Sequence, residues 1–338
     1  MSLPPRAAVV SLRGPDLTDA ERAVFTRLPP AGFIVFGRNV DTPERLARLT
    51  ADLHGLFPER NVPVMVDQEG GRVMRLRPPH WQAQPAAAAV GALAARSEDA
   101  ALEAARRLGE VIGAELRAVG IDIDCAPCLD VAQPDMTWAI GNRSFGEDPA
   151  MVGRLGRALA DGLFAAGVAP VMKHLPGHGR ARVDSHDHLP VVDDPLAVLE
   201  ATDFVPFRMC RDLPLAMTCH LLFTAVDPDR PATHSPRVIG DVIRGAIGFE
   251  GLLFSDDLGM KALAGDMTTR ACSAIAAGCD IAVHCNGDLD EAAGVLEGVP
   301  ELSPRARRIL DGALERARRG AGVTLADARS RLDALLAA

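Results

Sequence analysis

The sequence predicts one α/β domain built as a (β/α)8 barrel. Short apolar runs alternate along the 338 residues with stretches of helical periodicity, and these runs lack the polar alternation of a half-exposed sheet. Such runs are typical of parallel strands that are buried on both faces. Barrels of this class commonly reach ~250 residues or more as one unit, so the length is compatible with a single domain.

Eight apolar runs of strand length are the candidates for the barrel strands. Each tends to finish in a polar or glycine-marked loop, and helical stretches separate them. In chain order the runs begin at Ala7, Gly32, Val62, Ile121, Val168, Leu215, Gly251 and Asp280.

The helix starts between these runs carry capping signals. Thr42 and Ser235 each precede a proline, which predicts an N-cap residue followed by proline at the first helical position. An Ala-rich pattern predicts one long helix that begins near Ser97. The pattern of residues 301–338 predicts charged amphipathic helices that pack outside the barrel. No repeat or linker indicates a second domain, so we expect one catalytic domain over 1–338.

The composition narrows the classes of partner. Hydrophobic residues make up 48% of the chain but aromatic residues only 4%, so the core is built from Ala, Val, Leu and Ile. The net charge is −9 and no basic run offers a phosphate-binding face, so we expect no nucleic-acid partner. No apolar segment approaches ~18 residues, and the N-terminal run is too short for a signal peptide. We therefore expect a cytoplasmic protein with no membrane partner.

The seven cysteines are odd in number and mostly lie in apolar runs, which favours reduced core thiols. Cys125 and Cys128 form a CxxC motif, but no second pair completes a four-thiolate zinc site. We interpret the pair as buried packing and predict no metal and no cofactor.

Reactive side chains cluster where the predicted strands end. Because active sites of this fold are assembled at the C-terminal ends of the strands, we expect these groups to converge on one catalytic mouth. The strand-end residues are Arg38, Asp67, Asp130, Lys173, His174, His220, Asp256, Asp257 and His284.

The densest stretch, residues 173–190, has the sequence KHLPGHGRARVDSHDHLP. Its glycines and Pro176 exclude a regular helix, so His174 and His178 are not a helical pair of zinc ligands. The simplest interpretation of an isolated His-rich loop is a solvated polar segment. The recurrence of reactive groups at other strand ends favours a catalytic loop.

Five motifs follow one another along the chain, which are VDQEGGRVMR (66–75), GNRSFGEDP (141–149), KHLPGHG (173–179), DSH (184–186) and FSDDLGM (254–260). The same motifs occur in the same order in family 3 glycoside hydrolases, and the chain resembles the single-domain bacterial β-N-acetylglucosaminidases of that family from about Val9 to Ala282. The resemblance implies a TIM barrel that hydrolyses glycosides.

The resemblance also implies roles for individual residues. Asp256 is the expected nucleophile, with Asp257 as the alternative, because a strand buried on both faces does not reveal which carboxylate points inward. His186 matches the mobile general acid/base, with Asp184 as its partner. The positions that match the sugar-binding residues are Asp67, Arg75, Arg143, Lys173 and His174.

The substrate class follows from the resemblance alone. It implies removal of terminal β-linked GlcNAc from peptidoglycan fragments during cell-wall recycling, notably GlcNAc–anhydroMurNAc with or without its peptide. The expected partner is thus a small sugar substrate. We expect a monomer, although no sequence pattern determines the oligomeric state.

Three alternatives stay open at this point. A neutral acid/base also tolerates phosphate, so a β-N-acetylglucosaminide phosphorylase is possible chemistry. A metal-dependent amidohydrolase is suggested by the run His186-Asp187-His188, although barrel ligands usually come from strand ends. A sugar-binding module without catalytic activity is the third alternative, and the presence of Asp184, His186 and Asp256 disfavours it. We expect the remaining histidines, His178, His188, His220 and His284, to be structural.

Overall fold

The computed structural model describes residues 3–185, 188–320 and 322–337, and its centre is a ring of parallel strands. The strands are β1 (Arg6–Ser11), β2 (Pro30–Val35), β3 (Val64–Val66), β4 (Ile123–Asp124), β5 (Ala169–Pro170), β6 (Met172–Leu175), β7 (Val191–Val192), β8 (Leu215–Thr218), β9 (Leu222–Phe223), β10 (Leu252–Asp257) and β11 (Ile281–His284).

The main sheet has nine strands in the order β5-β4-β3-β2-β1-β11-β10-β8-β6, and all its pairings are parallel. Both ends of this order belong to the fifth predicted strand, because β5 and β6 follow one another directly in the chain. The sheet therefore closes on itself and confirms the predicted barrel. Strands β7 and β9 form a separate parallel pair beside it.

The fifth strand of the ring is divided into two halves that pair with different neighbours. Its first half, β5, pairs with β4, whereas its second half, β6, pairs with β8. Pro170 contributes no N–H to the ladder, which limits regular pairing at this point. Two further contacts join the fifth strand to the fourth-strand segment. The N–H of Val171 donates to the carbonyl of Asp124, and Cys128 and Lys173 form a parallel β-bridge.

Helices surround the ring, as the alternating pattern predicts. They are α1 (Asp19–Arg27), α2 (Pro43–Gly55), α3 (Ala87–Ala92), α4 (Glu98–Ala118), α5 (Pro149–Ala165), α6 (Leu196–Ala201), α7 (Val205–Met209), a π-helix (Val238–Ala246), α8 (Met267–Ala277), α9 (Leu289–Gly298), α10 (Pro304–Arg319) and α11 (Leu325–Ala337). Single 3₁₀ turns lie at Gly37–Asn39, Leu93–Ala95, Gly141–Arg143 and Ala232–His234.

The predicted helix starts are confirmed. The side chains of Thr42 and Ser97 accept hydrogen bonds from backbone N–H groups in the first turns of α2 and α4. The Ser235 hydroxyl accepts from the N–H of Val238 at 3.0 Å, just before the π-helix. The C-terminal helices α10 and α11 lie outside the ring, and α11 is fastened to α4 by an ion pair of 2.8 Å between Arg329 and Glu115.

The strands and the inner helix faces share one hydrophobic core, in which the Ala, Val, Leu and Ile side chains predominate. Because the strands are covered on both sides, side chains that leave this core do so at the ends of the ring. In the described ranges, no helix combines the length and the apolar character needed to cross a membrane.

Candidate active site

A cavity of about 340 Å³ opens at the C-terminal ends of the strands. Five of the predicted strand-end residues line it, which are Asp67, Lys173, His174, Asp256 and Asp257. Arg75, Arg143, His178 and Asp184 line it as well. The convergence that the strand-end pattern predicts is therefore present.

The cavity floor is built around the ammonium group of Lys173, whose side chain is 2% exposed. Its Nζ atom lies 2.7 Å from Oδ1 of Asp67 and 2.6 Å from Oε1 of Glu69. Burial alone would lower the pKa of Lys173, but the two carboxylates outweigh it and raise that pKa above its usual value. All three groups are therefore held in their charged forms.

Arg75 holds the other oxygen of Asp67. Its guanidinium lies 3.2 Å from Oδ2, while its backbone N–H donates to the side chain of Gln68 at 2.7 Å. Burial raises the pKa of Asp67, but Lys173 and Arg75 outweigh burial and hold it well below its usual range. The turn between these residues needs glycine, because Gly70 has a φ of +90° and a Cβ there would lie 2.3 Å from the Pro85 carbonyl.

The Nε and Nη2 atoms of Arg143 donate two parallel hydrogen bonds, of 2.8 and 2.7 Å, to the carboxylate of Glu69. Glu69 does not line the cavity but joins two residues that do, Arg143 and Lys173, and the sequence interpretation missed it. Burial raises its pKa, but Arg143 and Lys173 lower it to about 2. The signal for Glu69 was its position two residues after Asp67, since residues i and i+2 of an extended segment share a face.

His174 is held between Arg143 and Asp130. Its Nδ1 atom lies 2.7 Å from Oδ2 of Asp130, and its Nε2 atom lies 3.1 Å from Nη2 of Arg143. The Asp130 carboxylate therefore holds the ring from one side, and the Arg143 guanidinium contacts it from the other. Asp130, which is fully buried, does not line the cavity but orients His174 from behind.

One group in the described part of the chain has metal-ligating donor atoms close together. The donors of Cys128, Asp130 and His174 lie within 4.8 Å of one another. Oδ2 of Asp130 already accepts from the Cys128 thiol at 3.1 Å and from His174, so hydrogen bonding accounts for the cluster. Burial raises the pKa of the Cys128 thiol and disfavours a thiolate ligand. Cys125 is also buried, as the packing interpretation of the CxxC motif predicts.

Asp256 and Asp257 end β10, and both line the cavity. Oδ1 of Asp256 accepts from the backbone N–H of Asp257 at 2.8 Å, whereas Oδ1 of Asp257 accepts from Gly259 at 2.9 Å. Burial raises the pKa of Asp256, but the imidazoles of His174 and His220 and the Asp257 N–H outweigh it and lower that pKa. Burial and the neighbouring Asp256 raise the pKa of Asp257. The two adjacent carboxyl groups thus have opposite protonation tendencies.

The loop after β6 brings Asp184 to the cavity, while His186 and Asp187 lie outside the described residues. Within this loop, Nε2 of His178 lies 3.0 Å from the hydroxyl of Ser185. His178 is buried, and burial together with His174 lowers its pKa to about 4. His188 is exposed, and its backbone N–H donates to the carbonyl of Asp184.

The other strand-end residues support the cavity without lining it. His220 is buried between the Thr233 hydroxyl at 2.7 Å and the Asp257 carbonyl at 2.9 Å. Arg38 donates to the backbone carbonyls of Leu12 and Cys285, which follow the first and last strands of the ring. His284 is buried, and its Nε2 atom lies 3.4 Å from a carboxylate oxygen of Glu291. These side chains buttress the strand ends.

The comparisons with known proteins agree on one family. The profile described as "Glycosyl hydrolase family 3 N terminal domain" matches residues 8–318. A β-hexosaminidase of Bordetella avium is 38% identical over 314 residues, which cover 91% of this chain and 89% of the relative. A β-hexosaminidase of Alkalilimnicola ehrlichii is 39% identical and covers 88% of this chain and 85% of the relative.

Solved structures give the same result. NagZ of Neisseria gonorrhoeae in complex with N-trifluoroacetyl-D-glucosamine has a TM-score of 0.87 at 31% identity, over 99% of this chain and 98% of that one. LpqI of M tuberculosis has a TM-score of 0.73 at 32% identity, over 94% and 91% of the two chains. The predicted glycoside hydrolase of the β-N-acetylhexosaminidase class is thus confirmed, and the chain belongs to glycosyl hydrolase family 3.

Proposed function

We propose that the protein is a retaining exo-β-N-acetylglucosaminidase. The observation that carries the proposal is a small cavity whose floor is a closed network of charged groups and whose wall carries one carboxyl group with a lowered pKa. A cavity of about 340 Å³ suits a single terminal sugar rather than the middle of a polymer. The Neisseria relative's complex with an N-acylated glucosamine supports the same sugar class.

In this proposal the floor residues bind the terminal sugar, as the family resemblance implies. Carboxylate oxygens of Asp67 accept from sugar hydroxyls, while Lys173 and Arg75 donate to them. Arg143 and His174 complete the set. Because every one of these groups is pre-oriented by a neighbour, little rearrangement is needed when charge develops on the sugar ring.

Asp256 is the proposed nucleophile, and Asp257 is the alternative. A nucleophilic carboxylate must be ionised at neutral pH, and the lowered pKa of Asp256 favours that role. The raised pKa of Asp257 favours a supporting one. Asp256 attacks the anomeric carbon, and the bond from that carbon to the leaving oxygen breaks.

His186 is the proposed acid/base, with Asp184 as its orienting partner. His186 gives its proton to the leaving oxygen in the first step. In the second step it removes a proton from water, which attacks the anomeric carbon and releases Asp256. Two displacements on one carbon give net retention. Imidazole suits both steps because its ordinary pKa of ~6.5 lies near neutrality.

The proposed substrates are GlcNAc-bearing muropeptides of cell-wall recycling, as the family resemblance implies. We further propose that the chain works in the cytoplasm, as a monomer and as one catalytic domain.

The test is turnover of an aryl β-N-acetylglucosaminide followed by proton NMR, in phosphate buffer and in a phosphate-free buffer. We expect β-GlcNAc as the first product in both. An α-configured first product would contradict retention, and GlcNAc-1-phosphate as the main product would identify a phosphorylase. Unchanged turnover after exhaustive chelation excludes the amidohydrolase alternative.

A further inference from the structure

The most exposed large hydrophobic side chain in the described part of the protein stands at the mouth of the cavity. Trp138 is 70% exposed and belongs to the residues that line the cavity, whereas the other tryptophan, Trp81, is buried. An exposed indole costs solvation free energy, and exposed apolar surface beside a polar binding site usually contacts a ligand. No role is assigned to Trp138 by the sugar-binding motifs.

Trp138 is held in a defined place. The guanidinium carbon of Arg72 lies 4.2 Å from the centre of the indole ring, and Nη2 of Arg72 also donates to the Trp138 carbonyl at 2.7 Å. One side of the indole is thus supported by a cation, and its backbone is tied to the same residue. The contacts with Arg72 therefore hold the Trp138 side chain in a fixed orientation at the cavity mouth.

The Trp138 loop is joined to the loop that carries Asp184. The N–H of Thr137 donates to the carbonyl of Ala181 at 2.8 Å, and Asp135 and Arg182 form an ion pair of 2.9 Å. Asp184 lines the same cavity as Trp138.

This placement identifies the leaving-group side of the cavity. In the proposed reaction the acid/base loop faces the glycosidic oxygen, so whatever is bonded to that oxygen lies along the rim next to Asp184. We infer that Trp138 is a stacking platform for the sugar that forms the leaving group, and that it favours pyranose leaving groups over small alkyl ones. An aromatic face suits the C–H face of a pyranose ring. The inference rests on the proposed function and adds a specificity residue to it.

The test compares kcat/KM for N,N′-diacetylchitobiose, whose leaving group is a pyranose, with kcat/KM for methyl β-N-acetylglucosaminide. We expect Trp138→Ala to lower the ratio of the two values roughly five- to tenfold, the range for one aromatic contact. Trp138→Phe keeps an aromatic face and should restore most of the ratio. Val183→Ala is the matched control, because Val183 is an exposed apolar residue of the neighbouring loop that does not line the cavity.

The outcomes separate the two proposals. An unchanged ratio in Trp138→Ala, or an equal loss on both substrates, overturns the platform while leaving the hydrolase intact. A wild-type enzyme that cleaves neither substrate overturns the proposed function and, with it, the platform. Thermal unfolding midpoints equal to that of the wild type in both Trp138 variants show that the change in the kcat/KM ratio reflects binding and not folding.

Discussion

The ammonium of Lys173 lies 2.6 Å from Oε1 of Glu69, and the same carboxylate binds Arg143 through both oxygens. Glu69 therefore links two of the proposed sugar-binding cations. All three groups are buried or nearly so. Breaking one partner of such a network leaves an uncompensated charge away from water, which is more costly than losing a surface ion pair.

We accordingly predict that Glu69→Gln destabilises the protein by about 3 kcal/mol and lowers kcat/KM at least ~100-fold. Urea unfolding and aryl glycoside kinetics measure the two effects. Glu103→Gln is the matched control, because Glu103 pairs with Arg331 at the surface. A Glu69→Gln variant as stable and active as the control would contradict the network's importance.

The lowered pKa of His178 predicts that the free energy of unfolding depends on pH. Its pKa is lowered to about 4 in the folded protein, so below the ordinary value of ~6.5 the unfolded chain binds a proton that the folded protein refuses. The stability that this difference contributes is complete above pH ~6.5 and is lost as the pH falls towards 4, at up to ~1.4 kcal/mol per pH unit for one proton.

Replacing His178 by Gln removes this proton while keeping a side-chain donor near Ser185. We predict a shallower loss of unfolding free energy in the variant between pH ~6 and ~4.5, by as much as one proton's slope. Urea titrations at several pH values measure it. His188→Gln, at an exposed position, should retain the wild-type slope. Identical slopes in wild type and His178→Gln would refute the assignment.

The barrel could be predicted because strands covered on both faces leave continuous apolar runs, and all eight runs are in the ring. The split of the fifth strand at Val171 could not, since it depends on which neighbours each half meets across the closed sheet. Glu69 was missed because a carboxylate beside glycines is usually solvated, and its spacing of two residues from Asp67 was the one signal against that interpretation. The proposed preference for Asp256 over Asp257 likewise rests on their three-dimensional surroundings, which shift the two pKa values in opposite directions.

Arg143 provides a test of geometry at constant charge. Its two bonds to Glu69 are parallel, a third nitrogen donates to the Ala139 carbonyl at 3.1 Å, and Nη2 also reaches His174. Lysine supplies a point charge but not this planar fork. We predict that Arg143→Lys lowers kcat/KM at least ~30-fold, through both kcat and KM.

The control for Arg143→Lys is Arg107→Lys, in an ion-paired arginine on the surface of α4 that is remote from the cavity. That variant should keep wild-type kinetics. Full activity in Arg143→Lys would mean that only the positive charge, and not the fork, matters for catalysis.

The last prediction separates the two adjacent aspartates by the product they give. Asp256→Ala removes the proposed nucleophile and should lower kcat on an aryl β-N-acetylglucosaminide at least ~1,000-fold, whereas Asp257→Ala should stay within about tenfold of wild type. Azide restores turnover in Asp256→Ala by attacking the anomeric carbon from the vacated side. The restored product is then the α-glycosyl azide, because only one displacement has occurred. His186→Ala retains the nucleophile, so azide acts in the second displacement and gives the β-glycosyl azide. NMR coupling constants distinguish the two azides, and an α-azide from Asp257→Ala instead of Asp256→Ala would transfer the nucleophile's role to Asp257.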